Sequence, residues 1–127
     1  MTKKTFLALV TGNPGTFQNG LLALITTFPQ ISSVIVAEEI ESALRMMEIH
    51  NPKVVIMDTT FPNVGEVIKE IKTNWPHIFL IVLAESNSEE IEAEAKGADT
   101  VLLKGFSPRI LIEIIEKFIE NYNDSLI

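Results

Sequence analysis

Five short apolar runs recur at even spacing along the chain: residues 5–10 (TFLALV), 33–37 (SVIVA), 54–57 (VVIM), 79–83 (FLIVL) and 100–103 (TVLL). They are rich in β-branched or aromatic side chains and are bounded by turn residues. Most are continuous rather than alternating, the pattern of strands covered on both faces. Stretches of helical length separate them. Residues 16–28 carry apolar side chains at 17, 21, 24, 25 and 28, residues 40–49 at 40, 43, 44, 47 and 49, and residues 64–75 at 64, 67, 68, 71 and 75. Residues 88–96 are short and acidic, and residues 107–122 form the longest stretch. This alternation predicts an α/β fold: a doubly wound parallel sheet with helices on both faces.

Punctuation agrees. Ser107 reads as a helix cap with Pro108 at the first helical position. Pro29, Pro52 and Pro76 follow helices and precede strands, and Gly97 sits where a helix should stop. A length of 127 residues fits one domain with a core large enough to need no staples. Residues 1–122 are expected to form that domain, with 123–127 a tail or the start of a linker.

Composition narrows the chemistry. The chain has no cysteine, which excludes disulfides, thiolate-held metals and a cysteine nucleophile. Its two histidines, His50 and His77, cannot build a histidine-rich metal cluster and read as surface or capping residues. Ten basic against 17 acidic residues give a net charge of −7, so no direct contact with nucleic acid is expected of this domain. No apolar run approaches the roughly 18 residues of a membrane span. Residues 6–10 are too short for the core of a signal peptide. A cytoplasmic domain with no membrane partner is expected. Gly12 and Gly15 lie in GNPG, which lacks the GxxxxGK pattern of a nucleotide-cradling loop.

In doubly wound sheets ligands bind beyond the carboxyl ends of the strands, where the strand order reverses. The candidates are therefore Thr11, Gly12 and Asn13 after the first strand, Glu38 and Glu39 after the second, and Asp58, Thr59 and Thr60 after the third. Ala84 and Glu85 follow the fourth strand, and Lys104 and Gly105 the fifth.

Asp58 in VVIMD and Lys104 in LLKGFSP carry a resemblance. With PKVVIMDTTFP (52–62), IFLIVLAES (78–86), KGADTVLLKGFSPRILIEII (96–115) and FQNGLLALI (17–25), the chain resembles the receiver domain of two-component response regulators. The SP after the lysine is most familiar in receivers of the LuxR/NarL type, attached to helix-turn-helix output domains. The resemblance implies a CheY-like, flavodoxin-like sheet of strand order 2-1-3-4-5 and a signalling module rather than an enzyme. It places Asp58 at the phosphoacceptor position, with a sensor histidine kinase as partner.

The sequence departs from the family at the site. There the first strand ends in an acidic pair that binds magnesium with the acceptor aspartate; Thr11, Gly12 and Asn13 stand here instead, in a loop one residue longer. Asp58 alone is expected to make a weak or unoccupied magnesium site, with Glu38, Glu39 or Glu85 as the substitutes open to it. Ala84 replaces a Thr or Ser whose hydroxyl would hold the phosphoryl group, and Val101 replaces a Tyr or Phe. Phe61 replaces a Met, the loop 62–65 is one residue short, and the fourth helix is short or irregular. Lys104 is a single point charge, and losing the ion and the hydroxyl removes two of three electrophilic contacts. The sequence therefore predicts a degenerate receiver with no cofactor, in which an Asp58–Lys104 ion pair is structural.

In the last helix Leu111, Ile114, Ile115 and Phe118 form the expected core face, and Ile110, Ile112 and Ile119 widen the apolar arc beyond what a sheet covers. With Val101 they are candidates for a partner surface or a homodimer contact, against the alternative of a wide core face. The acidic run 89–92 reads as a solvated face, and Trp75 as packing. Two other readings stay open: a working phosphoacceptor in a phosphorelay, with magnesium, and an unrelated nucleotide or small-molecule binder on a similar sheet.

Overall fold

The computed structural model describes residues 5–12 and 15–124. Strands and helices alternate in the order β1 (Phe6–Thr11), α1 (Thr16–Ile25), β2 (Ile31–Ala37), α2 (Ile40–His50), β3 (Val54–Asp58), α3 (Val64–Asn74), β4 (Phe79–Ala84), α4 (Asn87–Lys96), β5 (Thr100–Leu103) and α5 (Pro108–Asp124). One parallel five-stranded sheet has the order β2-β1-β3-β4-β5. The expected fold is the observed one. Asn13, and the longer loop expected around it, lies outside the described residues, as do residues 125–127.

Side-chain alternation divides the core into two layers. Ala8, Val10, Val54, Ile56, Ile81 and Leu83 pack on one face against Leu21 and Ile25 of α1 and Leu111, Ile115 and Ile119 of α5. Leu9, Val55, Met57, Leu80 and Val82 pack on the other against Ala43 and Met47 of α2, Ile68 and Ile71 of α3, and Ala93 of α4. Because both faces of the inner strands are covered, their sequences read as unbroken apolar runs.

The boundaries differ from expectation where side chains compete with the helix. α1 ends at Ile25 rather than residue 28, because Thr26 and Thr27 turn their hydroxyls onto the carbonyls of Ala23 and Leu24 at 3.0 and 2.7 Å. α5 begins at Pro108 with the Arg109 amide donating to the Ser107 hydroxyl at 3.3 Å, as the sequence suggested. It continues through Asp124, beyond the expected domain boundary. α4 is capped by Ser86, whose hydroxyl accepts from the Glu89 amide, and stops at Gly97, φ 114°.

One polar cluster fixes the edge of the sheet where β4 begins. Lys72 of α3 donates to the carbonyls of Pro76 and Ile78 at 3.1 and 2.6 Å and to Asp99 at 2.8 Å, while Asp99 also accepts from the Leu80 amide at 2.8 Å. Asp99→Ala strands the partly buried Leu80 amide and is expected to lower unfolding free energy by about 1–3 kcal/mol in urea titration.

Candidate functional site

The order of the sheet reverses between β1 and β3, and the register brings their carboxyl ends together: Val10 pairs with Ile56 and Thr11 with Met57. β4 and β5 extend the same edge, with Asp58 beside Leu83 and Ala84 beside Leu103. The Lys104 amide continues the ladder onto the Ala84 carbonyl at 2.8 Å. Parallel pairing alone therefore delivers Gly12, Asp58, Ala84, Glu85 and Lys104 to one place.

At that place the side chains form an ion cluster. Lys104 Nζ donates to Asp58 Oδ2 at 2.8 Å and to Glu85 Oε1 at 2.9 Å. Asp58 Oδ1 accepts from the Thr60 amide at 3.0 Å. The Asp58 side chain is only 13% exposed and that of Lys104 26%, so their contact is far less solvated than an ordinary surface pair. Burial pulls the Lys104 pKa down, but the hydrogen bonds and negative charges of Asp58 and Glu85 outweigh it and raise the pKa above the usual lysine value. The ammonium also sits 5.6 Å from the centre of the Phe17 ring, itself edge-on to Phe106.

Gly12 sets how closely β1 approaches this cluster. Its amide donates to the Ala37 carbonyl at 3.3 Å, and its carbonyl accepts from buried Gln18 of α1 at 3.4 Å. A Cβ on Gly12 would stand 2.9 Å from Asp58 Cβ, closer than carbon atoms pack. No acidic side chain fits at position 12 unless one of the two strand ends moves. Thr11 is 2% exposed, and its buried hydroxyl lacks a hydrogen-bond partner among the described residues. By alternation Thr11 starts on the face of Leu9, whereas Asp58 starts on the face of Ile56.

A second carboxylate network adjoins the first. Glu89 Oε1 accepts from the Thr59 hydroxyl at 2.7 Å and from the Glu85 amide at 2.8 Å. The Glu85 amide, then the Thr59 hydroxyl and the nearby Lys104 charge, hold the Glu89 carboxyl below its usual pKa, against a smaller opposing effect of burial. The run 89–92 was expected to be a solvated face, so Glu89 is a correction to that expectation. Its signal was present: Ser86-x-x-Glu89 is a capping box. Here the glutamate reaches one residue further back than the cap.

Magnesium needs several hard oxygen donors, and family precedent would seek them here. The donor set does not fit it. Asp58 is already engaged by an ammonium and an amide, Glu85 by the same ammonium, and position 12 has no room for a carboxylate. Glu38 and Glu39, the other expected substitutes, are exposed and line a separate groove with Phe61 and Pro62, beside Thr60. Among the described residues no three His, Asp or Glu side chains gather as a metal site. Ala84 is fully buried and contributes no polar side-chain atom.

A family model for the response regulator receiver domain matches residues 15–116. The chain belongs to that family. Receivers are modules of two-component signalling. Over 104 residues this receiver is 27% identical to the transcriptional regulatory protein DegU of Brevibacillus brevis, a match covering 79% of this chain and 44% of the relative. The chain thus spans less than half of that relative's length. A LuxR-family two-component response regulator from Aurantimonas superposes with a TM-score of 0.80 at 20% identity, covering 93% of this chain and 87% of the other. A CheY-like receiver from Methanospirillum hungatei superposes at 0.81 and 16% identity, covering 96% and 99%. These structures share the receiver's fold. No helix among the described residues is long and apolar enough to cross a membrane.

The interface expectation needs correction in α5. Ile119 is buried at 6% exposure in the core cluster that also holds Phe6 and Ile31, because the buried stripe runs Leu111–Ile115–Ile119. Four residues advance about 40° past a full turn, so a long helix on a twisted sheet drifts around its own axis. Ile112 is half-buried on the same core, and Val101 on the other. Ile110, named from the sequence, is 43% exposed; Ile91 and Leu103 are also exposed, and sequence reasoning did not name them.

Replacing Lys104 by Met should lower unfolding free energy by about 1.5–3 kcal/mol, because Asp58 and Glu85 lose their charged donor. D58N with K104M should cost less than the sum of the single changes, since the pair shares one interaction. Urea titrations of the four proteins measure both. Glu89 gives a pH signature. Its folded pKa is depressed, so its stabilisation is full above the ordinary glutamate pKa and is lost as pH falls through the lowered one. The stability deficit of E89A is therefore present at neutral pH and vanishes in acid, read by thermal melts of both proteins across that range.

Proposed function

We propose that this receiver is a pseudo-receiver: a cytoplasmic signalling module that works through protein–protein contacts, with weak or absent phosphorylation of Asp58. One observation carries the reading. The Lys104 ammonium, the one ammonium at the site among the described residues, is already shared by Asp58 and Glu85. A phosphoryl group on Asp58 would raise the charge of that side chain from one to about two negative charges, beside Glu85 and Glu89. Catalysis of that transfer is mostly electrostatic stabilisation, and Ala84 and Gly12 supply neither a hydroxyl nor a carboxylate for it. The relative that regulates transcription supports a role in gene control, with DNA contacts made by an output module rather than by this acidic domain. Exposed Ile91, Leu103 and Ile110 supply apolar area for an output or homodimer contact.

The second reading, a phosphoacceptor serving a phosphorelay with magnesium, is favoured by the retained pair itself: Asp58 ends a central strand with Lys104 at 2.8 Å. Intact-mass measurement after treatment with acetyl phosphate and magnesium separates the two. The expected result is an unchanged mass. A stoichiometric gain of one phosphoryl group, absent from D58N, would establish the second reading and end the first.

A further inference from the structure

The hydrogen bonds around Asp58 close on themselves. Asp58 binds Lys104, Lys104 binds the Glu85 side chain, the Glu85 amide binds Glu89, and Glu89 binds Thr59, the residue next to Asp58. The links measure 2.8, 2.9, 2.8 and 2.7 Å. Three loops, after β3, β4 and β5, are joined in this ring. The link made by Glu89 is distinctive because it crosses from the first turn of α4 to a residue 30 positions away.

We propose that Glu89 is a strap that holds the start of α4 against the loop after β3. A carboxylate offers only acceptors when ionised, so one oxygen can hold the Thr59 hydroxyl and the Glu85 amide together. Thr59 is buried, which fixes one end of the strap to the body of the sheet. α4 rests on α3 and on the β4–β5 edge mainly through Ala93, its buried side chain, while its sequence is acidic and Ile91 is 67% exposed. Its N-terminal turn is tied by the Ser86 cap and by Glu89, and of the two it is Glu89 that reaches across to the loop after β3. The inference deepens the proposed function, since α4 would then be set by the chain's own carboxylate rather than by a phosphoryl group. Glu89 is a positioning residue on this account.

Amide hydrogen exchange of the unmodified protein, resolved by NMR, tests the strap. E89A should accelerate exchange at the Glu85 amide about tenfold or more, the shift expected on losing a hydrogen bond to a charged group. T59V, which keeps the buried shape, should accelerate the same amide by less, and T59V/E89A no more than E89A alone. E90A removes an equivalent charge from the same helical turn and should leave that amide at its wild-type rate. The Ile81 amide in β4 reports whether each variant remains folded. A Glu85 amide that exchanges at the wild-type rate in folded E89A or T59V overturns the strap, as does an equal acceleration in E90A. Failure here leaves the Asp58 labelling result untouched, and labelling of Asp58 would leave this exchange result untouched.

Discussion

One ammonium group organises the carboxyl edge of this sheet. Lys104 is carried there by the β4–β5 ladder, and it is the cation shared by Asp58 and Glu85. Without it, the largely buried Asp58 carboxylate would lose its charged partner and keep the Thr60 amide, while Glu85 is exposed enough to turn to solvent. Phe17 covers the ammonium from α1, so its charge acts in a less aqueous setting than that of a surface lysine. The pair in this receiver is therefore less solvated than an ordinary surface ion pair.

The second constraint is steric. Gly12 brings the β1 backbone against Asp58 so closely that the Cβ of any other residue would collide with it. The missing carboxylate at that position is thus not an isolated substitution. The strand ends have closed over the space that a metal-binding side chain would need, and Gln18 and Ala37 hold the glycine there by its backbone. Charge and shape point the same way. The acidity implied by the net charge of −7 is spread over helices and loops, with Glu38 and Glu39 exposed in their own groove.

The fold was legible because its signals are local and repeated. Continuous apolar strands, periodic helices and Pro or Gly punctuation each pointed to the same alternation. Asp58 and Lys104 were legible for the same reason, as charges placed directly after apolar runs. Glu89, Gln18 and Phe17 were not. Their roles exist only after loops distant in sequence converge, and each also satisfies a commonplace local description: cap residue, polar helix face, apolar helix face. Ile119 was misplaced because a face defined around Leu111 ignores how the buried stripe drifts along a long helix. The capping box at Ser86 was readable, but the choice of the Glu85 amide over the cap's own was not.

We infer that, among the described residues, the contacts of Asp58 and Glu85 with Lys104 leave no place for a divalent cation. A magnesium titration of the isotopically labelled protein, followed through the amides of Gly12, Asp58 and Glu85, tests it most directly. No saturable shift is expected through the millimolar range beyond general salt effects. Saturable binding in the micromolar range, lost in D58N, would contradict it.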